Sequence, residues 1–410
     1  MISLLRKLVP KPILSFYHLA LAKTAAFWYG NPSEKLIVIG VTGTNGKSTT
    51  VNMIASILQE AGYKVGLTST INFRIAGQEK LNDLKMTMPG RFWLQRQLAR
   101  MVAAGCRFAV IESSSEGIAQ HRHAGIHYDA MVFTRLRPEH LERHGGFENY
   151  KQAKLEYFRH LERLPRKVDV PKVIVVNAED EHSKDFLNFK VDQKITFSAS
   201  DAADLHLKLA GKFNLLNAAA AIAVTTAYGV ARDVAKAALE KIEIIPGRVE
   251  YVREGQPFEV MVDYAPEPNS LSALYETLAA IAKKRLIHVL GSTGGGRDRS
   301  RREVLGRMAG KTADIVVVTN EDPYDDDPQE IIDDVAKGAL EAGKILGRNL
   351  FKILDRRAAI HKALTLAQPG DLVLLTGKGA EQAMVVAGGK KIKWDEREVV
   401  REELGKIVNQ

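Results

Sequence analysis

The chain has 410 residues, a single cysteine, and 58 basic against 49 acidic residues, for a formal net charge of +9. With 45% hydrophobic and 26% charged residues it has the balance of a globular protein of two or three domains, which excludes a disordered or fibrous chain. Cys106 has no partner, so a disulfide scaffold and a cysteine-rich zinc module are excluded and a reducing, cytoplasmic setting is expected.

In chain order, residues 1–34 read as a basic, amphipathic helical leader. Arg6, Lys7, Lys11 and Lys23 stand against the single acid Glu34, with Phe16, Tyr17, Phe27, Trp28 and Tyr29 interspersed. Such a helix either lies in a membrane interface or packs on the next domain with its cationic stems snorkelling. Packing is the favoured reading, with peripheral membrane contact as the alternative. No secretory signal is visible, and the longest apolar stretch, Ile13–Tyr29, is interrupted by His18 and Lys23.

From Lys35 onward short apolar runs alternate with helix-period segments. Strands are expected at 35–41, 107–112, 129–134 and 172–177, and helices at 47–60, 91–104 and 147–161. Continuous apolar runs separated by helices predict βαβ units and a parallel sheet covered on both faces. The alanine-rich stretch 213–241 reads as two helices and ends at Ile245-Pro246-Gly247, a domain boundary that gives domains at 35–245 and 246–410. The second domain repeats the pattern, with strands at 258–264, 285–290, 314–319 and 371–376 and helices at about 268–283 and from 328. The fold class is therefore α/β in two domains, both built on parallel sheets.

The strongest chemical signal is Gly40-Val-Thr-Gly43-Thr44-Asn45-Gly46-Lys47-Ser48-Thr49, between an expected strand and an expected helix. Glycines let backbone N–H groups converge on phosphate oxygens, the helix N-terminus adds positive potential, Lys47 neutralises phosphate, and the Ser48 hydroxyl faces Mg2+. Val41 stands where the usual phosphate-loop pattern begins with glycine. The second strand ends in Glu112, followed by Ser113-Ser114-Ser115-Glu116, a carboxylate suited to Mg2+ beside a phosphate loop. His140 and His144 share a helical spacing, but neither a zincin glutamate nor a third soft ligand accompanies them, so solvated or capping histidines rank ahead of zinc.

These motifs, with Thr134 to Gly145, Tyr150-Lys-Gln-Ala-Lys154, Gly211-Lys-Phe213-Asn214-Leu-Leu-Asn217, Ile245 to Glu250, Val262 to Ala265, Gly294 to Asp298, Glu321-Asp322-Pro323 and Gly377-Lys378-Gly379, resemble the Mur ligase family in order. The nearest likeness is to its UDP-N-acetylmuramoyl-tripeptide synthetases. The resemblance implies a phosphate-loop ATPase domain followed by a Rossmann-like domain. The implied reaction is amide formation: ATP phosphorylates a carboxylate, an amine displaces the phosphate, and ADP is released. It implies Lys47, Lys154 and His140 as catalytic residues, with Lys154 carbamylated and Ser48, Glu112, His140 and Lys154 holding Mg2+. Gly43, Thr44, Asn45, Gly46, Lys47, Ser48, Thr49, Asn214, Asn217, Arg248 and Asp263 would contact the nucleotide. Thr87, Ser114, Arg297, Asp322, Tyr324, Gly377 and Glu381 would contact the amino acid or an anionic cell-wall precursor.

The sequence departs from the family pattern at several points. Only residues 1–34 precede the first strand, so the UDP-binding domain of the family is expected to be missing. Met88 interrupts the Thr-Thr-Pro motif, Glu116 replaces a histidine after the serine run, and Arg135 replaces an asparagine. Glu139 and Glu142 stand where the family has aspartates, and Pro266 and Ala380 where it has histidines. The diaminopimelate-type Asp-Asn-Pro-Arg appears as Glu321-Asp322-Pro323-Tyr324, followed by Asp325-Asp326-Asp327. Losing the arginine fork and gaining acids favours a diamine such as lysine; the competing reading of the acid run is a solvated loop. A lipid-linked or polyglutamate-type acceptor and a phosphate-loop switch remain as alternatives, while the absence of a nucleic-acid motif sets aside an RNA or DNA partner.

Overall fold

The computed structural model describes residues 10–138 and 141–408. They form two compact units, one running through Ile242 and the other from Glu243 onward, except that the short segments 141–143 and 209–212 group with the second.

The first unit is built on an eight-stranded sheet. Its strands are β1 (Ile37–Thr42), β2 (Val65–Thr68), β3 (Asn72–Ile75), β4 (Gln78–Leu81), β5 (Phe108–Glu112), β6 (Ala130–Phe133), β7 (Val173–Asn177) and β8 (Gln193–Phe197). Their order is β4-β3-β2-β5-β1-β6-β7-β8. All pairs are parallel except those joining β2 to β3 and β3 to β4. Every residue of β5, β6 and β7 is buried, as expected for strands covered by helices on both sides. The four strands expected from apolar runs are present within a residue or two of their predicted ends. The β2–β4 meander and β8 escaped the sequence reading because they are short and the outer ones are largely exposed, so their patterns are polar.

Strand β1 lies between β5 and β6, where the direction of strand order reverses, so its carboxyl end opens into a crevice suited to a ligand. Register pairs Val41 with Glu112 and Thr42 with Phe133, which brings the ends of the three strands level. The leader forms a helix, Lys11–Trp28, whose Ala22, Ala25 and Ala26 are buried against this unit. Contact is close: a Cβ on Gly125 would lie 2.4 Å from the Ala22 carbonyl oxygen. The alanine-rich stretch forms helices Phe213–Ala227 and Arg232–Lys241, separated at Gly229, where φ is +85°.

The second unit has a six-stranded sheet of β9 (Glu250–Tyr251), β10 (Glu259–Val262), β11 (Leu286–Leu290), β12 (Ile315–Thr319), β13 (Leu350–Ile353) and β14 (Leu372–Leu375). The order is β13-β12-β11-β14-β10-β9, parallel apart from β9. A hairpin of β15 (Ala383–Val386) and β16 (Lys390–Lys393) follows. Apolar cores cover both faces of the sheet. The helix expected over 268–283 is shorter, Pro268–Ala279.

Candidate functional site

In the first unit, the loop after β1 wraps back on itself and enters the helix Lys47–Glu60 through Gly46. Gly43 has φ +154°, and a Cβ there would lie 1.9 Å from Thr134 Oγ1. Gly46 has φ +84°, and a Cβ there would lie 2.4 Å from Asn217 Oδ1. Both positions therefore need glycine for space as well as conformation. Thr134 Oγ1 donates to the Asn45 carbonyl at 2.7 Å, and Thr44 N–H donates to the Arg135 carbonyl at 2.6 Å. Thr44 Oγ1 accepts from Arg137 N–H at 2.9 Å and meets the Tyr150 hydroxyl at 3.0 Å. The segment after β6 thus clamps the loop from one side.

Two lysines converge on the loop backbone. Lys47 Nζ donates to the Thr44 carbonyl at 2.7 Å, and the buried Lys154 Nζ donates to the Gly43 carbonyl at 2.9 Å. The Lys154 ammonium also lies 4.6 Å from the centre of the Tyr150 ring, a cation–π contact. Ser48 and Thr49 begin the helix. Asn214 and Asn217 begin the helix Phe213–Ala227, with Asn217 Nδ2 donating to Asn214 Oδ1 at 3.1 Å.

On the other side of β1, Glu112 is buried at the end of β5. Its two oxygens accept from Thr70 N–H and Thr70 Oγ1, each at 2.8 Å, and Thr70 Oγ1 meets Thr87 Oγ1 at 2.8 Å. The expected metal residue Glu112 and the expected substrate residue Thr87 therefore belong to one network, joined through Thr70, which the sequence reading missed. Ser114 caps the short helix Ser115–Ala119 by accepting from Gly117 N–H at 3.2 Å. His144 Nε2 meets Ser115 Oγ at 3.1 Å, in keeping with a structural histidine, and His140 lies outside the described residues. Among the described residues no three His, Cys, Asp or Glu side chains gather as a metal set.

In the second unit, Arg248, Asp263, Gly377 and Glu381 lie close together. A Cβ on Gly247 would lie 2.1 Å from Ala380 N, and the Arg248 guanidinium stacks 4.6 Å from the Tyr264 ring centre. Asp263 accepts from Val249 and Ala265 N–H, each at 2.8 Å. Its grip stabilises Val249 at φ +50°, a conformation costly for a β-branched residue. Burial pushes the Asp263 carboxyl above its ordinary range, against the pull of Arg248.

The neighbouring cluster gathers carboxylates around the buried cation Lys378, with Arg356 also acting on Glu321 and Asp322. Lys378, fully buried, donates to both Asp322 oxygens at 3.1 and 3.2 Å, to Glu381 Oε2 at 2.8 Å and to the Ala383 carbonyl at 2.8 Å. Glu321 accepts from Thr293 Oγ1 at 2.7 Å, and burial, reinforced by the Asp322 charge, raises its carboxyl pKa. Arg297 lies on the loop after β11, near enough to Tyr264 to act on its electrostatics. Tyr324, at φ +52°, packs its ring on the glycine loop: a Cβ on Gly295 would lie 2.7 Å from Tyr324 Cγ.

The acid run after Tyr324 has tasks in the fold. Asp325 accepts from Gly388 N–H at 2.7 Å, Asp326 pairs with buried Arg302 at 2.8 Å, and Asp327 caps the helix Pro328–Glu341 through Gln329 N–H at 2.8 Å. Each of the three acids thus has a partner within the fold: a backbone contact for Asp325, an ion pair for Asp326 and a helix cap for Asp327. Asp325 and Asp327 are exposed and Asp326 is half-buried.

Comparison with known proteins bears on the same residues. The model of the Mur ligase middle domain matches residues 41–225, and that of the Mur ligase glutamate ligase domain matches 247–379. A UDP-N-acetylmuramyl-tripeptide synthetase of Roseiflexus sp. is 36% identical over 97% of this chain and 85% of its own length. The chain belongs to the Mur ligase family. A UDP-N-acetylmuramoyl-L-alanyl-D-glutamate–2,6-diaminopimelate ligase of Geobacillus kaustophilus is 34% identical over 96% of this chain and 84% of its own. Among solved structures, a diaminopimelate ligase of the same description aligns at 28% identity with a TM-score of 0.58, covering 92% of this chain and 79% of its own. The fold is shared with Mycobacterium tuberculosis folylpolyglutamate synthase at a TM-score of 0.71 and 19% identity, over 88% of this chain and 92% of that one.

This Mur ligase is an ATP-dependent, ADP-forming acid–amino-acid ligase, and the family uses ATP and Mg2+. Two of the expected donors are oxygens of the kind a hard cation takes. Ser48 Oγ starts the phosphate-loop helix, and Glu112 ends the strand paired with β1, where each carboxylate oxygen keeps a further lone pair beyond its bond to Thr70. The sequence motifs contain Thr134, Tyr150, Glu321 and Lys378 without assigning them a role, and they omit Thr70. For Lys378 a signal was present, a lysine between two glycines at a strand end. For Thr70 none was, because its role depends on a distant strand.

Proposed function

We propose that this ligase joins an amino acid to the carboxylate of an anionic, muramyl-peptide-type cell-wall precursor. A carboxylate oxygen attacks the γ-phosphorus of ATP and ADP departs, leaving an acyl phosphate. The amine nitrogen then attacks the acyl carbon, the carbon–oxygen bond to phosphate breaks, and the nitrogen loses its proton. Lys47 and the loop N–H groups offset phosphate charge, and the glycines keep the backbone accessible. Mg2+ when bound supplies further neutralisation; Ser48 and Glu112 would hold it, together with His140 and Lys154 as its carbamate. That modification adds CO2 to the amine with loss of a proton.

The placement of Lys47 on the loop backbone carries this reading, because it sets a positive charge where phosphate would bind, with Lys154 reaching the same loop at the Gly43 carbonyl. The added amino acid is a diamine such as lysine: Tyr324 offers no planar fork for a distal carboxylate. The setting is cytoplasmic, with peripheral membrane contact through the leader helix. The test is ADP release with candidate acceptors and labelled amino acids. Release that requires both substrates supports the ligase, whereas amine-independent hydrolysis alone overturns it. Diaminopimelate outcompeting lysine overturns the diamine. Lys154→Ala should nearly abolish turnover and recover part of it with a short carboxylic acid; full activity in that variant removes the carbamate.

A further inference from the structure

The leader helix Lys11–Trp28 has two apolar faces. Leu14, Leu21, Ala22, Ala25 and Ala26 follow helical spacing on the face turned toward the first unit and are buried or half-buried. On the other side, Ile13, Phe16, Tyr17, Phe27 and Trp28 are exposed by 59, 72, 54, 80 and 75%. At 3.6 residues per turn these five also share one arc. Single exposed apolar residues are ordinary, but a helix that is apolar on both sides calls for cover on both.

Charge indicates what the cover is. The helix sequence contains Lys11 and Lys23 and no acid, and the helix Arg91–Ala103 packed beside it contains Arg91, Arg96 and Arg100 and no acid. A second copy would set one cationic helix against another, which repulsion disfavours. An anionic bilayer surface meets both requirements, taking aromatic side chains into its headgroup boundary and basic groups onto its phosphates. Among the described residues no helix is long and apolar enough to cross a membrane. We infer that the outer face of Lys11–Trp28 docks in the plane of an anionic lipid surface, with Phe16, Phe27 and Trp28 as its anchors. This deepens the proposed peripheral placement and rests on it.

The test is co-sedimentation of the full chain with vesicles of phosphatidylglycerol and phosphatidylcholine, and with phosphatidylcholine alone. Partition is expected into the anionic vesicles, weakening with added salt. The triple variant Phe16→Ser/Phe27→Ser/Trp28→Ser should lower it on the order of tenfold or more, with the melting temperature and ADP release in solution unchanged. Equal partition of variant and parent overturns the inference, as does equal binding to both vesicle types. So does a dimer that the variant dissolves while vesicles bind neither form. Vesicle binding without amide formation would instead sink only the ligase reading, so the two failures are distinguishable.

Discussion

The two units place glycine-rich loops at the carboxyl ends of parallel strands and give them opposite electrical character. After β1, Lys47 rests on a backbone carbonyl, which is neutral, so its charge is available to an anion. After β14, Lys378 between Gly377 and Gly379 is held by Asp322 and Glu381, with Glu321 beside them, so acids outnumber the cation. The same topology therefore leaves a lysine on a neutral acceptor in one unit and a lysine matched by carboxylates in the other. The partners of the lysine set the difference, because a buried ammonium already matched by carboxylates has little attraction left for a phosphate.

The contrast is broken most severely at Lys378. Lys378→Met should cost about 3–5 kcal/mol, since it strands buried carboxylates without their cation, whereas Asp322→Asn, which leaves Lys378 its bond to Glu381, should cost less; urea unfolding checks both. At the other loop, Lys47→Ala should lower the rate of ADP release by about 10²–10³-fold with little change in stability, the scale of losing one transition-state charge contact. Equal losses of stability at the two lysines would erase the distinction.

A third prediction concerns pH. His288, buried between the Tyr275 hydroxyl at 2.7 Å and Thr376 Oγ1 at 2.9 Å, has its pKa pushed down to about 3 by burial and by Arg356. The unfolded chain therefore takes up the proton first. The stabilisation is fully present above pH 6.5, the ordinary value, and drains as pH falls toward 3. At pH 5 the loss should be about 2 kcal/mol, and His288→Gln should remove most of that difference between unfolding curves at pH 7 and pH 5. The smallest effect is at the acid run. Asp327→Ala should cost about 1 kcal/mol as a lost helix cap and leave the choice of amino acid unaltered; a changed preference in competition assays would place the run in the substrate pocket.

Much of this was legible in the chain itself. The apolar runs that became β1, β5, β6, β7, β11, β12 and β14 announce parallel strands because both faces are buried. The loop from Gly43 to Ser48 announces phosphate because its glycines and lysine have a fixed spacing between strand and helix. The short edge strands were illegible because half-exposed residues carry no periodic signal over four positions. The separate tasks of the acid run were illegible because Asp325, Asp326 and Asp327 look alike in sequence, whereas a backbone contact, an ion pair and a cap distinguish them in space.

The sequence alone determined the family, the α/β class and the chemistry of the phosphate loop, since these depend on local spacing and on apolar runs. Only the tertiary structure decided that Thr70 links Glu112 to Thr87, that Lys378 is neutralised, and that the leader buries its alanines while turning its aromatic residues outward. Each of these depends on which groups from distant segments share a low-dielectric interior, where a charge or donor is stable only with a partner.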